Sequence, residues 1–133
     1  MPPDLPPPIW VDQPADVDRL ARDLSSHPRF AVDTESNSLH AYQEQVCLIQ
    51  FSTSKKDYLL DPLDLVDLSP LAPLFADASK EKVFHAVEYD LISLRRDFSF
   101  EIVNIFDTMQ SARILGYKQV GLDSLLSLKF NLQ

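Results

Sequence analysis

Three carboxylates stand out by residue type and placement. Asp33 and Glu35 close the apolar run Phe30-Ala31-Val32. Residues i and i+2 of a strand point to one face, so the two acids are expected to converge there. Two anions side by side repel unless something positive joins them. A divalent cation is the simplest candidate, since hard ions such as Mg²⁺ and Mn²⁺ favour carboxylate oxygens and water. Asp90 opens a helical stretch, where the positive end of the helix dipole favours an anion. Singly, each acid has an ordinary alternative. An acidic pair at a strand end is commonly a solvated loop or a cap, and an aspartate at a helix start is commonly an N-cap. Their joint order is what argues for chemistry, because the strand before Asp90 is expected beside the strand before Asp33, at the same sheet end.

The remaining reactive types read as structural. Asp107 is expected to cap a helix, with Gln110 in the reciprocal position. Asp61, Asp64 and Asp67 surround Pro62 in a loop, and Asp123 caps or faces solvent. Cys47 lies in an apolar strand and reads as core rather than nucleophile. His85 is read as a structural residue at a strand end. Lys55-Lys56 is too short for a nucleic-acid patch, and Arg95 and Arg96 read as a solvated helix face.

The elements that must position these acids follow from the hydrophobic pattern. Residues 1–13 are read as a proline-rich tail. Ala15, Val17, Leu20, Ala21 and Leu24 recur at three and four, predicting a helix from Pro14 to Leu24. Strands are expected at Phe30–Val32, Val46–Phe51 and Asp57–Leu60, forming an antiparallel meander. The pattern then alternates: helix Pro70–Ala78, strand Lys82–His85, helix Tyr89–Phe98, strand Ile102–Phe106, helix Asp107–Leu115 and helix Leu122–Phe130. The expected α/β fold is a mixed five-stranded sheet, meander then parallel strands, flanked by helices. Twenty Asp and Glu stand against 12 Lys and Arg, a formal net charge of −8. This argues against gripping a polyanion mainly through the chain's own cations, yet a carboxylate site can meet phosphate through bound ions. No run reaches the roughly 20 apolar residues of a membrane span, and the N-terminal residues do not read as a signal peptide. One cysteine excludes an internal disulfide and fits a cytoplasmic location.

In order, Phe30-Ala31-Val32-Asp33-Thr34-Glu35-Ser36, Val46 to Ser52, Tyr58 to Leu63, His85 to Leu91, and Asp107-Thr108 with Gly116-Tyr117 resemble the DEDD superfamily of 3′–5′ exonucleases, in its ribonuclease D and Werner-exonuclease-like branch. The resemblance covers roughly Phe30 to Phe130. It implies a ribonuclease H-like fold and a two-metal site using Mg²⁺ or Mn²⁺. Asp33, Glu35 and Asp90 match the first three metal-binding carboxylates. Leu39 matches the apolar wedge against the terminal base, and Tyr89 an aromatic lining the substrate site. The implied substrate is a single-stranded 3′ end, RNA ahead of DNA, cut to nucleoside monophosphates. The family's last motif is Tyr-x3-Asp or His-x4-Asp. Here Tyr117 is followed four residues later by Gly121, so residues 14–133 read as an incomplete exonuclease domain, truncated and expected to be inactive alone. The alternatives are a non-catalytic nucleic-acid-binding or scaffolding module with this fold, and an unrelated acidic α/β domain.

Overall fold

The computed structural model describes residues 4–37, 44–65 and 67–132. Its elements are β1 (Ile9–Val11), α1 (Pro14–Ser25), β2 (Arg29–Asn37), β3 (Gln45–Ser52), β4 (Asp57–Leu60), a 3-10 turn at Ser69–Leu71 running into α2 (Ala72–Ala76), β5 (Glu81–Phe84), α3 (Glu88–Phe98), β6 (Ile105–Asp107), α4 (Thr108–Ile114) and α5 (Leu122–Phe130). Among the described residues one sheet holds all the strands, in the order β1-β4-β3-β2-β5-β6. β3 is antiparallel to both its neighbours, whereas β1–β4, β2–β5 and β5–β6 are parallel. The meander and the following parallel strands are therefore as expected, and the strand before Asp90 does lie beside the strand before Asp33.

Two expectations are corrected. The sheet has six strands, not five, because Ile9–Val11, assigned to the tail, pairs with Tyr58–Leu60. Three residues are too few to show an alternation, and the pairing is set by a partner some fifty positions away. The strand expected at Ile102–Phe106 is confined to Ile105–Asp107. Asn104 adopts a φ of +58°, outside the extended region, and its side-chain amide donates to the Ala78 carbonyl at 2.9 Å.

Burial explains the strands. In β2, Phe30 and Val32 are buried while Asp33 and Glu35 are exposed on the opposite face, the period-two pattern of a half-buried strand. Their partners on β3 are Phe51 for Val32 and Ile49 for Thr34. The register then slips: Glu35 faces Leu48 and Ser36 faces Val46, leaving Cys47 without a partner. This β-bulge restores phase. Val46 is thereby buried on the same face as Ile49 and Phe51 although it stands an odd number of residues from each. Cys47 is half-buried and free, less enclosed than a core thiol.

The buried face is an aromatic core. Phe30 meets Phe75 edge-on at 5.8 Å between centroids, and Phe75 stacks on Phe100 at 4.8 Å. α1 adds Val17, Leu20 and Leu24, all fully enclosed, each such side chain contributing about 1.5–3 kcal/mol of burial. In α3 the inward positions are Asp90, Ser93 and Leu94, whereas the apolar Ile92 is 62% exposed. α5 buries no side chain. No helix among the described residues is long and apolar enough to cross a membrane.

Candidate active site

β2 and β5 pair only through Arg29–Ala31 with Glu81–Val83. Beyond Ala31, β2 keeps β3 on one side and loses its partner on the other. This gap lies at the carboxyl ends of parallel strands, where open α/β sheets place their sites. The first turn of α3 enters here. The Thr34 hydroxyl donates to Asp90 Oδ1 at 2.5 Å, and the Thr34 amide donates to Asp33 Oδ1 at 3.0 Å. One residue thus holds a carboxylate on each side of the strand edge.

Asp90 is buried to 7% exposure. Burial pushes its carboxyl above the usual carboxylate range; the Thr34 hydrogen bond opposes that rise, and the neighbouring Asp33 charge adds to it. Neither Asp33, Glu35 nor Asp90 makes an ion pair with Lys or Arg among the described residues. Asp90 thus feels the Asp33 charge, and carboxylate oxygens are the hard donors a divalent cation takes. The donor chemistry therefore fits such an ion. The arrangement is open rather than a finished cage: among the described residues no three His, Cys, Asp or Glu side chains are grouped closely enough to hold a metal together. Glu35 shares the exposed face with Asp33, two residues along the strand, beside the bulge.

Tyr89, adjacent to Asp90, is 83% exposed, its ring open to solvent. Leu39 lies outside the described residues. On the face opposite the core, Ala31, Asp33, Gln50 and Ser52 meet Thr108 and Leu122 across a cavity of about 490 Å³, with His85 in its wall.

Sequence reasoning missed Thr34, although a hydroxyl between two acids was a readable signal. It also assigned Asp107 only to a cap. Asp107 does cap α4, accepting from the amides of Met109 at 2.8 Å and Gln110 at 3.3 Å. It accepts equally from the amides of Ala86 at 3.1 Å and Val87 at 2.9 Å, in the turn that launches α3. Burial alone raises its pKa, but the four amides outweigh that and hold the carboxyl below the usual range. His85 Nδ1 lies 2.8 Å from Thr108 Oγ1, and its buried Nε2 has no hydrogen-bond partner among the described residues. Thr108 Oγ1 also lies 3.1 Å from the Phe84 carbonyl, so one hydroxyl joins the end of β5 to the His85 ring. Arg96 is engaged by Asp97 and Glu44, and Asp97 in turn accepts from the Val46 amide at 2.8 Å, tying the end of α3 to β3.

A six-stranded mixed sheet with carboxylates at the splayed ends of its central strands is the frame of a ribonuclease H-like nuclease. Residues 8–132 match the 3′–5′ exonuclease family, and the chain belongs to that family. Protein RRP6-like 3 of Arabidopsis thaliana is 40% identical over 119 residues, which is 89% of this chain and 13% of that protein. The crystal structure of the catalytic core of RRP6 from Trypanosoma brucei superposes with a TM-score of 0.90 at 31% identity, covering 96% of this chain and 35% of that one. Escherichia coli RNase D, described as an exoribonuclease involved in structured RNA processing, gives a TM-score of 0.87 at 26% identity, over 96% of this chain and 34% of that one. The motif resemblance to the ribonuclease D branch is thus borne out. The chain spans less than a fifth of the length of the curated plant relatives it matches.

Proposed function

We propose that this chain carries the first three metal-binding carboxylates of a 3′–5′ exoribonuclease site, which releases nucleoside monophosphates from single-stranded RNA 3′ ends. The observation that carries this reading is that Thr34 binds both Asp33 and Asp90, neither of which has a Lys or Arg ion-pair partner among the described residues. Family membership supports a divalent-metal requirement, with Mg²⁺ or Mn²⁺ as the ions and Asp33, Asp90 and Glu35 as their ligands. Two such ions, when bound, would activate water and stabilise the leaving oxygen. The chain's own residues do the holding. Asp33 presents an exposed carboxylate, Thr34 fixes Asp90 against it, and Glu35 extends the acidic rim. Tyr89 and Leu39 are assigned to the terminal nucleotide, Tyr89 by stacking on a base, which exposed aromatics do without sequence preference. The similarity to Escherichia coli RNase D, an exoribonuclease, supports RNA over DNA. The free thiol of Cys47 supports a reducing compartment such as the cytoplasm.

No Asp stands four residues after Tyr117, so the 133-residue chain by itself is assigned little or no turnover. The experiment is therefore release of mononucleotides from 3′-labelled RNA, with Mg²⁺ or Mn²⁺, by this chain extended through the family's last motif. Chelation and Asp33→Ala should each abolish release. Metal-independent release, or full activity in Asp33→Ala, would end the assignment. A non-catalytic nucleic-acid-binding or scaffolding role is favoured by one observation, the lack of a three-ligand cluster among the described residues. Retained RNA binding with no metal-dependent product would establish it.

A further inference from the structure

Ala86 adopts a φ of +60°. A left-handed conformation costs a residue bearing a Cβ about 1–2 kcal/mol and persists where its surroundings over-determine it. The surroundings here are Asp107 and Thr108. Asp107 binds the amides on both sides of the strained residue's carbonyl, those of Ala86 and Val87. Thr108 grips the Phe84 carbonyl and the His85 ring. Four consecutive residues, Phe84 to Val87, are thus held by two consecutive residues of the next strand–helix junction. Val87 is the N-cap of α3, and its carbonyl accepts the Leu91 amide at 3.0 Å. Asp90 stands within that first turn.

An ordinary N-cap aspartate satisfies its own helix. Asp107 commits two of its four bonds to a different helix, the one bearing Asp90. Side chains that orient metal ligands without touching the ion change metal affinity about 10–100-fold when removed. We infer that Asp107 and Thr108 are positioning residues, a clamp on the Phe84–Val87 turn that sets the first turn of α3 so that Asp90 reaches Thr34 beside Asp33. The inference rests on the reading of Asp33 and Asp90 as metal ligands, and a metal-free measurement separates the two.

The test uses the 133-residue chain and its variants Asp107→Asn, Thr108→Val and Asp33→Asn. Asparagine keeps the size of Asp107 but turns an NH₂ donor toward amides that need an acceptor. Amide hydrogen exchange reads the clamp without metal; Mn²⁺ affinity reads its consequence. Asp107→Asn and Thr108→Val should speed exchange at Ala86, Val87 and Leu91, leave β3 and β4 protected, and weaken Mn²⁺ binding about 10-fold or more. Asp33→Asn should weaken Mn²⁺ binding while leaving exchange at Ala86 and Val87 unchanged. Native protection of Ala86, Val87 and Leu91 in both clamp variants overturns the clamp. So does unchanged Mn²⁺ affinity once that protection is lost. If the unaltered chain binds no Mn²⁺, the metal reading fails. Ala86 and Val87 exchange then decides the clamp: the clamp stands if both amides are released in the two clamp variants, and falls if either stays protected.

Discussion

The Thr34 hydroxyl lies 2.5 Å from Asp90 Oδ1, joining the central strand to the helix that follows its parallel neighbour. Fifty-six residues separate them in the chain. Asp90 is buried, and Thr34 is its hydrogen-bond partner at the point where β2 and β5 separate. The bond serves two ends: it satisfies a buried carboxylate, and it fixes that carboxylate next to Asp33.

Replacing Thr34 by valine keeps the branched shape and removes the donor. The buried Asp90 carboxylate is then short of a partner, which costs about 1–3 kcal/mol. Urea denaturation at pH 7 should show the loss, and Thr34→Ser should restore most of it. At acidic pH, where Asp90 is protonated, the deficit should shrink. A Thr34→Val chain as stable as the native at pH 7 would show that the bond contributes nothing.

Metal should stabilise the folded chain, because the carboxylates are brought together only there. At a concentration one hundred times the dissociation constant, a ligand of the native state adds about 2.7 kcal/mol. Thermal unfolding with and without Mn²⁺ should therefore show an upward shift of the midpoint in the native chain. Asp33→Asn should lose that shift, while in metal-free buffer it unfolds no earlier than the native, since a charge that disfavours ionised Asp90 has been removed.

Asp107 makes stability depend on acid in a definite direction. Its folded carboxyl lies below the usual range, after burial is outweighed by four amides. The folded state therefore takes up its proton later than the unfolded chain does. Its contribution is fully present above the unfolded value of about 3.9 and is lost as pH falls through the lower folded value. The stability gap between native and Asp107→Asn should be constant near pH 6 and close progressively below about pH 4. A gap that persists undiminished to pH 2 would contradict the hydrogen bonding seen at Asp107.

Lys82 behaves oppositely. Its side chain is fully enclosed, with Nζ donating to the carbonyls of Asp77 at 2.8 Å and Lys80 at 2.6 Å. Burial lowers its pKa despite the nearby Asp77 charge. The folded chain releases this proton before the unfolded one, so its contribution rises with pH between the lowered value and the unfolded value of about 10.4. Lys82→Met should remove that rise, measured as the difference in denaturation free energy between pH 7 and pH 10. It should also leave two carbonyls without their donor, at a cost visible at both pH values.

Much of the architecture was legible along the chain because it depends on local pattern. The helix from Pro14, the three meander strands, the cap at Asp107 and the stop at Gly116 (φ +87°) all follow from spacing, burial alternation or turn chemistry. The acids Asp33, Glu35 and Asp90 were legible by type and order. What pattern could not supply was anything made by partners distant in sequence. The edge strand at Ile9–Val11 exists because β4 offers it a partner. The Cys47 bulge is a property of a pair of strands, since it is a mismatch in their register. Thr34 acquires its role from a helix arriving across the sheet, and Asp107 from a turn twenty residues upstream. Residue types and their local rhythm thus prescribe which groups are available and on which face each strand presents them. The distances at which those groups meet are settled only when packing brings separate elements together, because hydrogen bonds and Coulomb forces act over a few ångströms of space whatever the separation along the chain.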